Sequence, residues 1–302
     1  MKKIFILGGT GFTGRYLVPS LVRKGHRLSV LVRAVVPPWM PGTVETVALQ
    51  QGKKWQEKVR ESDVTINLAG ASIAQPWTQK AKAEIYASRI ETTRQLVDAL
   101  PSDAQGKMLI NASAIGYYGF CRDEWISESS PSGTDFAACL CKDWEAEALK
   151  AKEKGCSLFV PRMGVVLGNG GALENMVKMF NRFLGARLGS GKQWFSWLHV
   201  QDFVDALNLA IEQNRQGTYN LCSPCPVQNL ELTKTLSALL RVPTLPPAPS
   251  FVLKLVLGEF SSMILEGQRV SSQKWVEETA FHFRFASLRE ALEDLLKESP
   301  TR

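Results

Sequence analysis

The chain has 302 residues, 45% of them hydrophobic, which is enough for a full core in one large or two modest domains. Its 36 basic and 29 acidic residues give a net charge of +7. That excess suits a phosphorylated ligand, while the lack of any dense Lys/Arg block or nucleic-acid-binding motif excludes DNA and RNA as expected partners. No apolar run approaches the ~18–20 residues of a membrane span, so no membrane partner is expected and the expected location is the cytoplasm.

At the start of the chain, Met1-Lys2-Lys3 before Ile4-Phe5-Ile6-Leu7 mimics a short signal peptide. Gly8-Gly9-Thr10 breaks the run too early for one, so 4–7 reads as a strand. The strand runs into Gly8-Gly9-Thr10-Gly11-Phe12-Thr13-Gly14, and a helix follows over 16–24. Strand, glycine-rich turn and helix start in that order are built to hold a dinucleotide pyrophosphate. An early glycine permits the turn, a middle one lets backbone N–H groups approach the phosphates, and a last one lets the helix pack on the sheet. The phosphates then sit at the helix N-terminus. The bland alternative is a glycine-rich turn with no ligand. The next strand, 27–32, ends at Arg33, nineteen residues after Gly14. A site for NAD usually carries Asp or Glu here, whereas Arg pairs with a 2′-phosphate, so NADP is the expected cofactor. Otherwise Arg33 is a solvated loop charge. Arg15 adds a second positive group at the helix start.

Further strands are expected at 44–49, 63–68, 107–111 and 156–160, the last capped by Pro161. Helices are expected at 81–100, stopped by Pro101, and at 134–154. This alternation predicts an α/β fold with a Rossmann-type, doubly wound parallel sheet, whose ligands bind at the carboxyl ends of the strands. After Gly168 the pattern changes. A helix over 173–184 leads to a loop at 185–191 and to Trp194-Phe195-Ser196-Trp197-Leu198-His199-Val200. A helix at 201–212, a short strand at 218–221, a four-proline stretch at 243–249 and an amphipathic helix at 288–296 complete the chain. The expected organisation is an NADP-binding domain from 1–165 plus about 198–217. Residues 166–197 and 218–302 are expected to form a smaller, mixed, partly helical lobe that closes over the cofactor cleft and holds the substrate.

The six cysteines, at 121, 139, 141, 156, 222 and 225, read as reduced, buried thiols. Cys222-Ser223-Pro224-Cys225 is a C-x-x-C without a second pair, in a chain of only three histidines, so no metal site is expected.

Several stretches carry a family resemblance. They are the turn at 8–14, Asn67-Leu68-Ala69-Gly70, Ser88-Arg89-Ile90-Glu91-Thr92-Thr93, Ser113-Ala114-Ile115-Gly116-Tyr117-Tyr118-Gly119 and Trp144-Glu145. Arg162-Met163-Gly164-Val165-Val166-Leu167-Gly168, the run from Gly189 to His199, and Glu266-Gly267-Gln268-Arg269-Val270 complete the set. In this order they resemble the extended short-chain dehydrogenase/reductase superfamily. More closely they are similar to its atypical NAD-dependent epimerase/dehydratase-like branch, often labelled nucleoside-diphosphate-sugar epimerase. The label follows the fold, and fold does not fix function. The resemblance implies that Gly8, Thr10, Gly11, Phe12, Thr13 and Gly14 line the pyrophosphate and that Arg33 meets the adenosine end. Leu68, Ala69 and Gly70 would pass under the adenine-side ribose toward the nicotinamide half, and Arg162, Gly164 and Val165 would lie near the nicotinamide.

Superfamily enzymes use Ser or Thr with a Tyr and a Lys spaced Y-x-x-x-K on one helical face, where the lysine lowers the tyrosine pKa and the tyrosine exchanges a proton. No Y-x-x-x-K exists here. The corresponding helix puts Ala138 or Cys139 at the tyrosine position, depending on register. Lys142 is either the family lysine or a solvated helix charge, and Cys139 is a poor replacement acid. Ser113 remains, and Tyr117 or Tyr118 is a candidate donor unless both rings pack against the sheet. Ser113, Tyr117 and Lys142 are therefore the candidate catalytic residues. His199 reads as a positioning residue rather than a base. Trp194, Phe195 and Trp197 are lobe core or cleft wall. The expected activity is NADP(H)-linked hydride exchange with a small carbonyl or alcohol held between the lobes. A non-catalytic NADP(H) sensor is the rival from another class, and sugar-nucleotide epimerisation is a weaker enzymatic version. A homodimer is possible, but nothing in the sequence fixes the oligomeric state.

Overall fold

The computed structural model describes residues 1–33, 35–52, 54–120, 123–182 and 184–297. Among the described residues eight parallel strands form the main sheet, the two-residue Ser113–Ala114 and seven longer ones: β1 (Lys3–Leu7), β2 (Arg27–Val32), β3 (Glu45–Ala48), β4 (Val64–Asn67), β5 (Met108–Asn111), β6 (Ser157–Met163) and β7 (Gly217–Leu221). Their spatial order is β3-β2-β1-β4-β5-β6-β7. The winding direction reverses between β1 and β4, which is where a doubly wound sheet opens a ligand crevice at its carboxyl edge. The expected α/β, Rossmann-type sheet is thus observed.

Strand β1 shows why both faces are covered. Ile4 and Ile6 point into one core, with Leu17 and Leu21 of helix α1 (Gly14–Arg23). Phe5 and Leu7 point into the other, with Trp55 and Val59 of α2 (Lys54–Glu61) and Leu96 and Val97 of α3 (Gln79–Ala99). Alternate side chains of a strand face opposite ways, so a continuous apolar run marks burial on both faces. Helix α2 was not anticipated, because its eight residues carry five charges and only Trp55 and Val59, four apart, reach the core.

Several boundaries differ from the sequence reading, most of them by one to three residues, and two differences have a local cause. The helix expected over 134–154 is α4 (Phe136–Leu149) followed by a 3₁₀ turn, Lys150–Lys154. Asp135 sets its start by accepting hydrogen bonds from the Ala137 and Ala138 N–H groups. Strand β6 runs through Pro161 to Met163 instead of stopping at it. Pro161 falls between Phe159, which pairs with β5, and Arg162, which pairs with the short segment Ser113–Ala114, so the ladder on that side is already interrupted there.

The remaining chain builds a smaller mixed lobe. Helices α5 (Gly171–Asn181), α7 (Asn229–Leu240) and Leu288–Lys297 share an apolar core with Trp197 and Val200. Helix α6 (Val200–Glu212) returns to the main sheet and packs beside α1. The loop expected at 185–191 includes a short strand, Ala186–Leu188, paired with Leu245–Ala248 in the proline-rich stretch. Among the described residues no helix is long and apolar enough to cross a membrane.

The crevice depends on two close approaches. Gly8 has φ +77°, and a Cβ there would lie 2.5 Å from the Leu68 carbonyl carbon. At Gly14 a Cβ would lie 2.2 Å from the Gly9 carbonyl oxygen. Backbone cannot move out of the way cheaply, so Gly14→Ala is expected to cost about 2–4 kcal/mol. Thermal and urea denaturation check this, and an unchanged midpoint would contradict the packing described.

Candidate functional site

Two cavities lie along the carboxyl edge of the sheet. The first, of about 350 Å³, is lined by Gly8, Thr10, Gly11 and Arg33 together with Trp55 and Thr92. The second, of about 390 Å³, is lined by Thr13, Ser113, Gly164 and Val165 among others. Leu68, Ala69 and Gly70 line both, so the two form one continuous strip over the switch point.

The first cavity has the features of a phosphate cradle. A Cβ on Gly11 would meet only the Gly8 carbonyl oxygen, at 3.2 Å, so backbone there is open to a ligand. Helix α1 has no acidic residue in its first turn, and Thr13 at its N-cap makes no side-chain cap. The N–H groups of Gly11, Arg15, Tyr16 and Leu17 donate to backbone carbonyls of the turn, while those of Thr10, Phe12, Thr13 and Gly14 take no backbone partner and, with the helix dipole, are open to an anion. Arg33 is exposed at the end of β2, held by a hydrogen bond from Gln50 to its carbonyl. Arg15 lies beside the Tyr16 ring and does not line the cavity. These residues fit a dinucleotide.

Phe12 and Gly14 stand apart from the cradle. The Phe12 ring packs on residues 168–171, where a Cβ at Gly168 or Gly170 would come within 2.9 Å of it, and edge-on to Tyr16. It joins the turn to the lobe; its side chain does not line the phosphate site. Gly14 is buried beneath Gly9.

The second cavity is bordered by one face of α4. Helix α4 turns Ala137, Leu140, Cys141 and Trp144 toward it. Ala137 and Cys141 stand four apart on that face, whereas neither Ala138 nor Cys139 lines the cavity. Lys142 lies one residue, about 100°, further round the helix and is exposed. With Tyr117 it lines a separate 230 Å³ depression. Neither reaches the strip, and both sequence expectations are corrected accordingly. Cys139 is exposed and its thiol faces the Thr134 carbonyl. Burial pushes the Cys141 thiol up to about 12, so it stands neutral in the wall.

Ser113 does line the cavity, but its hydroxyl is engaged. It donates to Glu145 Oε1 at 2.5 Å. Glu145 is gripped by Arg162 through Nε at 2.8 Å and Nη2 at 2.7 Å. Arg162 Nη1 donates to the Tyr118 hydroxyl at 2.9 Å, which donates to Asn220 Oδ1 at 2.6 Å. The guanidinium lies 3.4 Å from the Tyr117 ring centre. Burial opposes the charge on Arg162, but Glu145 outweighs it and holds the guanidinium firmly protonated. Burial likewise pushes the Tyr118 phenol up to about 12. Arg162 thus organises this network and lines neither cavity. Both tyrosines pack around it, which is why neither phenol faces the strip.

Other expectations divide in the same way. Trp194 and Phe195 form cavity wall, whereas Trp197 is fully buried core. Arg187 and Lys192, charges of the 185–192 segment that an anionic substrate would want facing the cleft and a sensor could leave on the surface, line neither cavity. Of the five described cysteines, 141, 156 and 222 are buried while 139 and 225 are exposed, so burial is not general; Cys121 lies outside the described residues. Sequence reasoning missed three charged residues in or beside the site, Glu145, Arg89 and Glu266. Glu145 and Arg89 both stand in motifs quoted above, but motif membership alone assigns no contact. The apolar spacing 137, 140, 141, 144 was the readable sign of which α4 face is buried.

His199 caps α6, its Nδ1 accepting the Gln201 N–H at 3.0 Å, and its ring stacks on Phe285 at 3.8 Å. It lines neither cavity. Burial lowers its pKa from 6.5 to about 4, and Asp294, at 3.4 Å, does not reverse this. A neutral buried histidine must charge on unfolding, so its stabilising effect is complete above pH 6.5 and is lost as pH falls through about 4. Unfolding free energy is expected to drop by on the order of 2 kcal/mol over that range. His199→Asn keeps a capping group and should flatten the drop; urea titrations at a series of pH values measure it.

The family model described as the NAD dependent epimerase/dehydratase family matches residues 4–222, and a domain of unknown function, DUF1731, matches 248–295. The Arabidopsis thaliana protein named epimerase family protein SDR39U1 homolog, chloroplastic, is 37% identical over 97% of this chain and 86% of its own length. The crystal structure of human epimerase family protein SDR39U1 (isoform 2) with NADPH is 30% identical, with TM-score 0.86 over 98% of this chain and all of that one. MoeE5 in complex with UDP-glucuronic acid and NAD shares the fold at 19% identity, with TM-score 0.81 over 98% of each chain. With its central sheet, glycine turn and crevice matched over most of its length, the chain belongs to the NAD dependent epimerase/dehydratase family.

Proposed function

We propose that the protein binds NADP(H) along the strip formed by the two cavities and exchanges hydride with a small carbonyl or alcohol in the second. The observation that carries the cofactor reading is Arg33, which shares one cavity with the Gly8–Gly11 turn and stands where a ribose-binding carboxylate would favour NAD. The NADPH complex of the human relative supports the same choice. Gly8, Thr10, Gly11 and Thr13 hold the pyrophosphate, Gly14 lets α1 approach it, and Leu68, Ala69 and Gly70 run beneath the dinucleotide. Gly164 and Val165 border the nicotinamide half. The lobe of residues 166–197 and 218–302 supplies the facing wall through Trp194 and Phe195.

Bound nicotinamide supplies the hydride chemistry. The chain itself contributes orientation. Ser113 has given its proton to a hydrogen bond with Glu145, so its remaining lone pairs accept from a substrate hydroxyl rather than donate to a carbonyl. That suits alignment of an alcohol for oxidation, in which the hydride would pass to bound NADP⁺ and the hydroxyl proton to solvent water. A second reading, an NADP(H)-binding module without turnover, is favoured by Ala137 and Cys141 in place of Tyr and Lys, and by Arg187 and Lys192 lying off the cleft. Epimerisation of a sugar nucleotide needs the same missing pair twice, once for oxidation and once for reduction.

Calorimetry is expected to show NADPH binding tighter than NADH. Arg33→Ala should weaken NADPH about 10- to 100-fold, the worth of a charge-assisted hydrogen bond or two, and leave NADH unchanged. Equal affinity for both cofactors in the wild type would overturn the NADP assignment. With NADP⁺ and a panel of small alcohols, absorbance at the nicotinamide band separates the two readings: turnover lost in Ser113→Ala supports the enzyme, and silence across the panel supports the module.

A further inference from the structure

We propose that Arg89 is the anion-holding residue of the second cavity, and that its ligand is a small organic monocarboxylate with an otherwise apolar body. This rests on the cofactor reading above and extends it to a substrate class.

Arg89 sits on α3 with its guanidinium against Gly70, where a Cβ would come within 2.8 Å of Cζ. Its Nη1 donates to the carbonyls of Ala71 at 3.1 Å and Ile85 at 3.2 Å, and its Cζ lies 5.3 Å from the Trp144 ring centre. No carboxylate lies within ion-pair distance of it among the described residues. Two carbonyl bonds leave most of the five guanidinium N–H donors available. A largely buried cation without a counter-charge is costly, and an arriving carboxylate removes that cost with a bidentate pair. Burial lowers its pKa, but a guanidinium stays charged at any working pH. Arg89 lines the second cavity and not the first, so the phosphate cradle is built without it.

The rest of the cavity sets the body of the ligand. Its wall is largely Trp194, Phe195, Met163, Met263, Ile115 and Leu140. Its polar side chains are mostly committed to the protein. Ser113 donates to Glu145, Ser196 donates to the Gln268 carbonyl and accepts from the Val270 N–H, and Gln268 Nε2 donates to the Gly119 carbonyl. Among the described residues Glu266 is the one other charged residue of the wall, and it repels anions. A hydroxyl-rich sugar would find few free partners here, and a diphosphate would find one cation.

Calorimetry on protein saturated with NADP⁺, which cannot reduce the oxoacids, tests this with phenylpyruvate, 4-methyl-2-oxopentanoate and indole-3-acetate as probes, each beside its neutral methyl ester, and with UDP-glucose. At least one acid is expected to bind 10-fold or more tightly than its ester. Arg89→Gln should bring the acid down to the ester's affinity without changing NADPH affinity, and Arg89→Lys should fall between; thermal melts confirm that both variants fold. The proposal is overturned if no acid binds, if acid and ester bind alike, if UDP-glucose binds more tightly than every acid, or if Arg89→Gln weakens NADPH instead. Should NADPH itself fail to bind wild-type protein, the cofactor reading falls, and the acid–ester comparison on the free protein still decides the role of Arg89.

Discussion

The buried ion pair between Arg162 and Glu145 is the constraint on which the reactive half of the crevice depends. Taking both charges out of water costs several kcal/mol each, and only good geometry with further hydrogen bonds offsets it. Here the guanidinium grips the carboxylate through two N–H groups, donates a third bond to Tyr118 and stacks on Tyr117, while the carboxylate also accepts from Ser113. The pair ties α4 to β6 and the end of β5. It thereby fixes the rotation of α4 and decides which of its residues reach the cavity. It also removes Ser113 as a free donor and holds both tyrosines away. One interaction thus determines the position of the site and the chemistry denied to it.

The parts of the fold set by local backbone requirements were legible in the sequence. The glycine turn could be read because a strand must leave at Gly8 and a helix must pack at Gly14, and both demands show in residue type. Arg33 could be read because its place follows from the length of one βαβ unit. The sheet could be read because runs such as Ile4 to Leu7 are apolar on both faces. The failures lie where an answer depends on rotation or on a distant partner. Cys141 and Lys142 differ by 100° on the helix, and nothing near them in sequence says which one faces the crevice. Tyr117 and Tyr118 turn away because of Arg162, more than forty residues on. Glu145 gave no sign of its role because its partners come from two other elements.

The two cavities differ in how they present polarity. In the first, hydrogen-bonding capacity comes from backbone N–H groups of the turn, those of Thr10, Phe12, Thr13 and Gly14, that take no backbone partner, and among the described residues a side-chain charge enters only at its Arg33 end. Such a surface suits a ligand of fixed, repeated geometry such as a pyrophosphate. In the second, most polar side chains are satisfied internally, and the buried Asn67–Thr93–Asn111 cluster beneath it is closed by the Trp144 indole N–H. A satisfied network holds its shape and offers little to a ligand. Recognition there must come from shape, apolar contact and whatever charge is left uncompensated.

That charge explains how the absence of a lysine is tolerated. A lysine at 141 would bring a second cation to the face that already holds Arg89, in a wall where the thiol is fully buried and kept neutral. Like charges that close in a poorly solvated site repel by far more than they would in water. With Cys141 on α4, the guanidinium on α3 keeps one positive group at the crevice without that repulsion. A tyrosine at 137 would in turn fill part of the space that Ala137 leaves open. Among the described residues the cavity therefore offers room and one fixed cation, and its chemistry has to be sought from those two properties.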